Sequence, residues 1–322
     1  AICALIFVLS ILRGMGHILS GIAPDFHMLM LSRMGVACAH AIFWSIVTPL
    51  AVRVAPAGKG STALSIVVAG SSIALIVGLP LGRAIGIAVG WRVTFLIIAA
   101  IAFGVLGLLA AVLKKSPSDN NFSLRKLPAL IKTPSLWGIY LLTLVAISGH
   151  FTAYSYIEPF LSRIAGLGNN AITVVLTLFG AVGLVGSFIF SRHYNNNVET
   201  FFKMAVAGLC FCLLMLLPAS CTEWSAFLQC MLWGLSINFF NLSFQSEIIR
   251  HAPQGTAVAM SIYSGIYNVG IGTGALVGGS VCDGIGIRYI GYVGGAIALA
   301  AVIYCIRHVV PVLRHATAGT DI

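Results

Sequence analysis

The run GHFTAYSYIEP, residues 149–159, places His150, Tyr154 and Glu158 four residues apart. On a helix that interval returns each side chain to nearly the same face, drifting by about 40° per step. A histidine changes charge near neutral pH, and a carboxylate in a low-dielectric setting is driven towards the same range. Either could carry an exchanged proton, while the tyrosine hydroxyl could meet a polar solute. Pro159 interrupts a helix ladder, which leaves two readings of Glu158. It stands at a kink or outer gate, or it lies past the helix end in outer solvent.

A second stripe lies in SRMGVACAHAIFWSI, residues 32–46. At about 100° per residue, Arg33, His40 and Trp44 fall within about 40° of one another, with Thr48 beside them. An arginine inside an apolar span is costly unless it is paired or meets water. The chemical reading is a cavity wall. Arg33 balances charge, His40 bonds a solute or carries a proton, and Trp44 gives a ring a flat face. The structural reading makes Arg33 a pin for helix ends and satisfies His40 on a backbone carbonyl.

Asn238, Asn241 and Gln245 gather within about 60° on a third stretch, and Ser261, Ser264 and Asn268 form a similar strip on a fourth. Amides and hydroxyls offer paired donors and acceptors, as the hydroxyls of a neutral sugar require. Interhelical bonding is the competing role, worth about 0.6 kcal/mol per bond in membrane helices.

The elements that carry these residues are long and apolar. Of 322 residues, 59% are hydrophobic and 8% charged, and mean hydropathy is +1.02. Soluble domains carry roughly 25% charged residues. The composition therefore points to an all-α polytopic membrane protein and excludes an ordinary soluble fold. The formal charge of +10 is spread between apolar runs, which argues against a nucleic-acid surface. Eight cysteines lie in or beside apolar runs without a Cys-x-x-Cys pair and read as small hydrophobes.

A bilayer core takes about 20 apolar residues per helix. Ten such runs are present: 1–22, 28–52, 61–87, 91–113, 135–160, 170–191, 201–219, 225–249, 257–282 and 288–310. The polar stretch 114–134 divides them four and six. Sorted by loop, one side takes Arg53, Lys59, Lys114, Lys115, Arg125, Lys126, Lys132, Arg192, Lys203, Arg250, Arg307 and Arg314, and the other only Arg83, Arg92, Arg163 and Arg288. That bias places the long loop and the C-terminus in the cytoplasm.

RVAPAGKGSTALSI (53–66) echoes RHAPQGTAVAMSI (250–262), with Arg53 and Pro56 each 197 residues before Arg250 and Pro253. Gly78, Pro80, Gly82 and Gly86 precede Gly270, Gly272, Gly274 and Gly278 by 192 residues. Order and spacing both indicate a duplication. Pairing the runs makes the unit six helices and starts the first unit at its third helix. The organisation expected is a partial N-terminal bundle at 1–113, a cytoplasmic linker at 114–134 and a six-helix bundle at 135–322. Two further helices are expected before Ala1, absent through truncation or gene modelling, and a transport-inactive fragment is the corresponding alternative. The stripes Gly78/Gly82/Gly86 and Gly270/Gly274/Gly278 are small-xxx-small faces suited to helices that pack closely and rock.

Two six-helix units joined by a basic cytoplasmic loop resemble the major facilitator superfamily. GLPLGRAIGIAVGWRVTF (78–95) is similar to the glycine-proline signature of its proton-coupled exporters, although Leu79 separates Gly78 from Pro80. SRMGVACAHAIFWSI and AYSYIEPF (153–160) resemble the bacterial sugar efflux transporters, which expel arabinose-like and thiogalactoside-like sugars. The resemblance implies ten helices of an expected twelve and alternating access. It further implies proton antiport across the bacterial inner membrane, with export of amphipathic drugs as the alternative.

It also implies that the first, second, fourth and fifth helices of each half surround the cavity. Arg13 and His17, on the first run, stand outside that pattern. No cofactor is expected, the proton gradient supplying energy, and no metal site or enzyme motif is evident. The expected partners are a small sugar, protons and the lipid bilayer, and the expected state is a monomer.

Overall fold

The computed structural model describes residues 2–56, 66, 70, 73–112, 133–194, 197–252 and 255–313. Most of the predicted linker 114–134, Pro253, the start of the run 61–87 and the side chains of Thr48 and Arg53 lie outside the described residues. The chain divides into two compact units, Ala1–Arg125 and Lys126–Ile322.

In the first unit α1 (Ile2–Ile22) packs against α2 (Phe26–Val54) and α4 (Trp91–Val112), while α3 (Leu79–Val89) packs on α4. Asp25 starts α2 by accepting from the Met28 N–H at 2.8 Å, which satisfies one of the four donors a helix start leaves open. A π-helical turn, Ala74–Gly78, leads into α3. Pro80 explains it: proline has no N–H to close the usual ladder, so the turn upstream re-registers. Few side chains of this unit are buried, and residues such as Leu31 and Leu108 are exposed, as lipid-facing positions are.

The second unit contains α5 (Pro134–Tyr154), α6 (Ile157–Arg163), α7 (Asn169–His193), α8 (Val198–Leu214), α9 (Glu223–His251), α10 (Thr256–Gly284) and α11 (Ile290–Tyr304). Helix α5 is flanked by α10 and α11, α9 by α7 and α8, and α8 also packs on α11. Six helices of the chain are long and apolar enough to cross a membrane among the described residues: Phe26–Trp44, Trp91–Ala111, Pro134–Arg163, Asn169–His193, Glu223–His251 and Ile287–Leu313.

The α5–α10 contact shows why its glycines are there. Gly270 lies against Ile147, Gly274 against the Ser148 carbonyl and Phe151, and Gly278 against the Thr152 carbonyl and Tyr156. The contacts climb both helices in the same direction, so the two run parallel. A Cβ at Gly274 or Gly278 would collide with backbone. The first-unit counterparts differ. A Cβ at Gly78 or Gly82 would meet nothing within 4 Å, and at Gly86 only Thr94 Oγ1 at 3.6 Å.

Tyrosines brace the α5–α10 pair at both ends. Tyr140 donates to the Ala259 carbonyl at 3.0 Å, and Tyr156, just past α5, donates to the Ala275 carbonyl at 3.1 Å. Thr143, Ser148 and Thr152 donate to carbonyls one turn back on α5, so these hydroxyls are satisfied within the helix.

The predicted run 135–160 is two helices. The ladder stops at Tyr154, turns through Ser155 and Tyr156, and resumes at Ile157. Pro159 cannot bond the carbonyl four residues back and would clash with it, so it is accommodated in the first turn of a new helix. The predicted run 201–219 likewise ends at Leu214, before a short helical turn at Pro218–Cys221.

One joint recurs in both units. Gly90, between α3 and α4, has φ 90° and ψ 156°, and Gly286, between α10 and α11, has φ 102° and ψ 150°. Glycine alone adopts that region without strain, and each is followed two residues later by an arginine, Arg92 and Arg288.

Candidate functional site

In the second unit the polar face of α5 meets α7 and α9 in an aromatic box. His150 is 3% exposed, and its Nδ1 accepts the Trp233 indole N–H at 3.0 Å. Tyr154 stacks on His150 at 5.0 Å and on Phe179 of α7 at 5.1 Å. Trp233 meets His150, Tyr154 and Phe179 edge-on, at centroid distances of 5.4, 5.9 and 5.7 Å. Edge-to-face and offset contacts of this kind are the favoured aromatic geometries. An indole N–H aimed at Nδ1 requires the imidazole hydrogen to sit on Nε2, so the box holds one tautomer of His150.

The amide stripe of α9 is divided between tasks. Asn241 lies beside Tyr267 of α10. Asn238 lies against Gly183 and Gly186 of α7, and its Oδ1 is buried without a hydrogen-bond partner. Gln245 is half-buried on the same helix. On α10, Asn268 donates to the Ser264 carbonyl at 2.8 Å, so part of that strip is spent within its own helix. Glu158 is exposed on α6, beyond the end of α5.

The first unit carries a separate polar cluster. Arg33 Nη1 donates to His17 Nδ1 at 3.3 Å. Its guanidinium lies 5.0 Å from the centre of the Phe95 ring, on which His17 also stacks. Arg13 lies over Phe43 at 5.0 Å. Arg13 and His17, unplaced by the sequence pattern, thus join α1 to α2 and α4 through cation–π and hydrogen-bond contacts. His40 accepts the Trp44 indole N–H at 3.0 Å through Nε2. Each candidate histidine is therefore held by an indole donor, within one helix in the first unit and between helices in the second.

Sequence reasoning passed over Trp233 and Tyr267, which complete the second-unit site, and Glu247, the fully buried carboxylate among the described residues. Trp233 sits in FLQCMLWGL, where a lone aromatic in an apolar run carries no periodic signal. Glu247 had a faint one, an acid four residues before His251 on the same helix face.

Among the described residues the elements are helical, several are of membrane length and one parallel pair is packed through glycines, as in a polytopic membrane protein. The chain belongs to the major facilitator superfamily, whose sequence profile matches residues 1–259. Over 288 residues it is 47% identical to a probable sugar efflux transporter of Helicobacter acinonychis (strain Sheeba), covering 89% of this chain and 74% of that protein. Over 290 residues it is 47% identical to a probable sugar efflux transporter of Helicobacter pylori (strain ATCC 700392 / 26695), covering 90% and 74%. It is a multi-pass membrane protein of a transporter family rather than of an enzyme family.

Proposed function

We propose that the protein is a secondary active transporter of the bacterial inner membrane that exports sugars by proton antiport through alternating access. Ten helices cross the bilayer in this reading, with the C-terminus in the cytoplasm. The observation that carries it is the aromatic and amide group of the second unit, in a chain 47% identical to proteins named as probable sugar efflux transporters. Sugar rings present C–H faces to aromatic rings and hydroxyls to amides. Tyr154 and Phe179, both partly exposed, offer the first, and Asn241 and Tyr267 the second. Arabinose-like and thiogalactoside-like sugars fit this chemistry because they are small, neutral and polyhydroxylated.

Export of amphipathic drugs is the second reading, favoured by the aromatic content of the same box. The two separate in cells expressing the complete reading frame. Sugar export predicts lower accumulation of labelled arabinose or thiogalactoside than in control cells, with an unchanged susceptibility panel. Unchanged sugar accumulation with raised drug tolerance would reverse the assignment.

A further inference from the structure

Glu247 is buried to 1% exposure near the end of α9, in a chain with eight acidic residues. One oxygen, Oε1, accepts the Tyr194 hydroxyl of α7's C-terminal cap at 2.8 Å. The other, Oε2, has no hydrogen-bond partner, and neither has the buried Ser243 Oγ one helical turn earlier. The nearest cationic groups are on α9 itself, His251 Nδ1 at 3.4 Å from Oε2 and Arg250 Nη1 at 3.8 Å from Oε1. On α8 Lys203 is engaged by Glu199 at 3.4 Å. Burying a carboxylate oxygen without a donor is costly while it is charged, and the cost falls when it takes a proton.

His251 is placed to deliver that proton. Its Nδ1 lies 2.9 Å from the Glu247 backbone carbonyl, which can only accept, so Nδ1 carries a hydrogen, and Oε2 lies 3.4 Å from the same nitrogen. The imidazole keeps 11% exposure where the carboxylate has 1%, which sets it between Glu247 and the aqueous edge. We infer that Glu247 is a proton-binding station of the transport cycle, loaded and emptied through His251 and steadied by Tyr194. A proton taken up at His251 Nε2 makes the imidazolium, which passes its Nδ1 proton to Oε2. Neutral imidazole and a carboxylic acid result.

The repeat supports a task beyond packing. With Arg53 matched to Arg250, the counterpart of Glu247 is Leu50, so the shared frame is built without a carboxylate there. The two candidate histidines, by contrast, each have a ring nitrogen occupied by an indole donor. A second proton on either ring must displace that bond. The inference rests on the antiport reading.

The test uses inside-out vesicles holding the protein expressed from its complete reading frame, with labelled arabinose or thiogalactoside. Glu247→Gln is expected to lower uptake driven by an acid interior by about tenfold or more, leaving sugar–sugar exchange at equal pH within about twofold. Tyr194→Phe keeps the ring stacked on Phe190 at 4.1 Å and removes only the hydroxyl. Loss of that hydroxyl removes the one donor to Oε1 from α7, so the pH profile of gradient-driven uptake in Tyr194→Phe is expected to move with exchange unchanged.

Gradient-driven uptake that survives Glu247→Gln, or a pH profile that does not move in Tyr194→Phe, would overturn the station. So would joint loss of uptake and exchange in a variant that inserts and melts as wild type does, because that marks a structural role. A wild type whose uptake ignores the gradient removes the antiport reading and this one together. A coupled wild type beside an equally coupled variant removes this one alone.

Discussion

His150 is held by neighbours of different character: the N–H of Trp233, the face of Tyr154 and the edge of Phe151. Trp233→Phe keeps a ring in the box and deletes the donor. It should cost about 1 kcal/mol, the worth of one such bond. Trp233→Ala also empties a fully buried volume and should cost about 3–5 kcal/mol. Thermal melting in one detergent checks the difference, and equal losses would mean that the hydrogen bond rather than packing holds the box. At this scale the sequence was partly legible. His150 and Tyr154 stood out because polar residues at helical spacing contrast with an apolar background. Trp233 did not, because its partner lies 83 residues away and no local pattern encodes that contact.

At the scale of elements, helix positions followed apolar run length, and their breaks followed proline and glycine. Pro159 signalled an interruption but not that it would fall at Ser155 and Tyr156, since the clash acts on the carbonyl four residues upstream. The glycine stripes were visible, whereas what they face depends on the partner helix. Gly274 abuts the Ser148 carbonyl and Gly82 faces open space within its unit. Gly274→Ala should therefore destabilise by about 1–3 kcal/mol, as overpacking does. Gly82→Ala should be neutral or gain up to about 1 kcal/mol of helix propensity. Melting of the two variants side by side decides it, and similar behaviour would show that the stripe of α10 is not the tight contact described. The matching conformations of Gly90 and Gly286 add to the repeat what letter spacing alone could not, a common backbone turn at one joint in both units.

At the scale of the whole molecule, the proposed topology, drawn from the charge bias of the loops, has the stretch 114–134 and the C-terminus on the cytoplasmic side. Reporter fusions after residue 126 and after residue 314 should both be active only as cytoplasmic reporters. A periplasmic signal at either would invert the topology, and with it the side on which Glu247 and His251 meet water. The central claim is that sugar leaves against protons. It is tested most directly by labelled arabinose or thiogalactoside uptake into inside-out vesicles, with an acid interior, with no gradient, and with a protonophore. Uptake several-fold higher with the acid interior, collapsing on protonophore addition, is the expected result. Uptake equal in all three conditions and equal to control vesicles would contradict it.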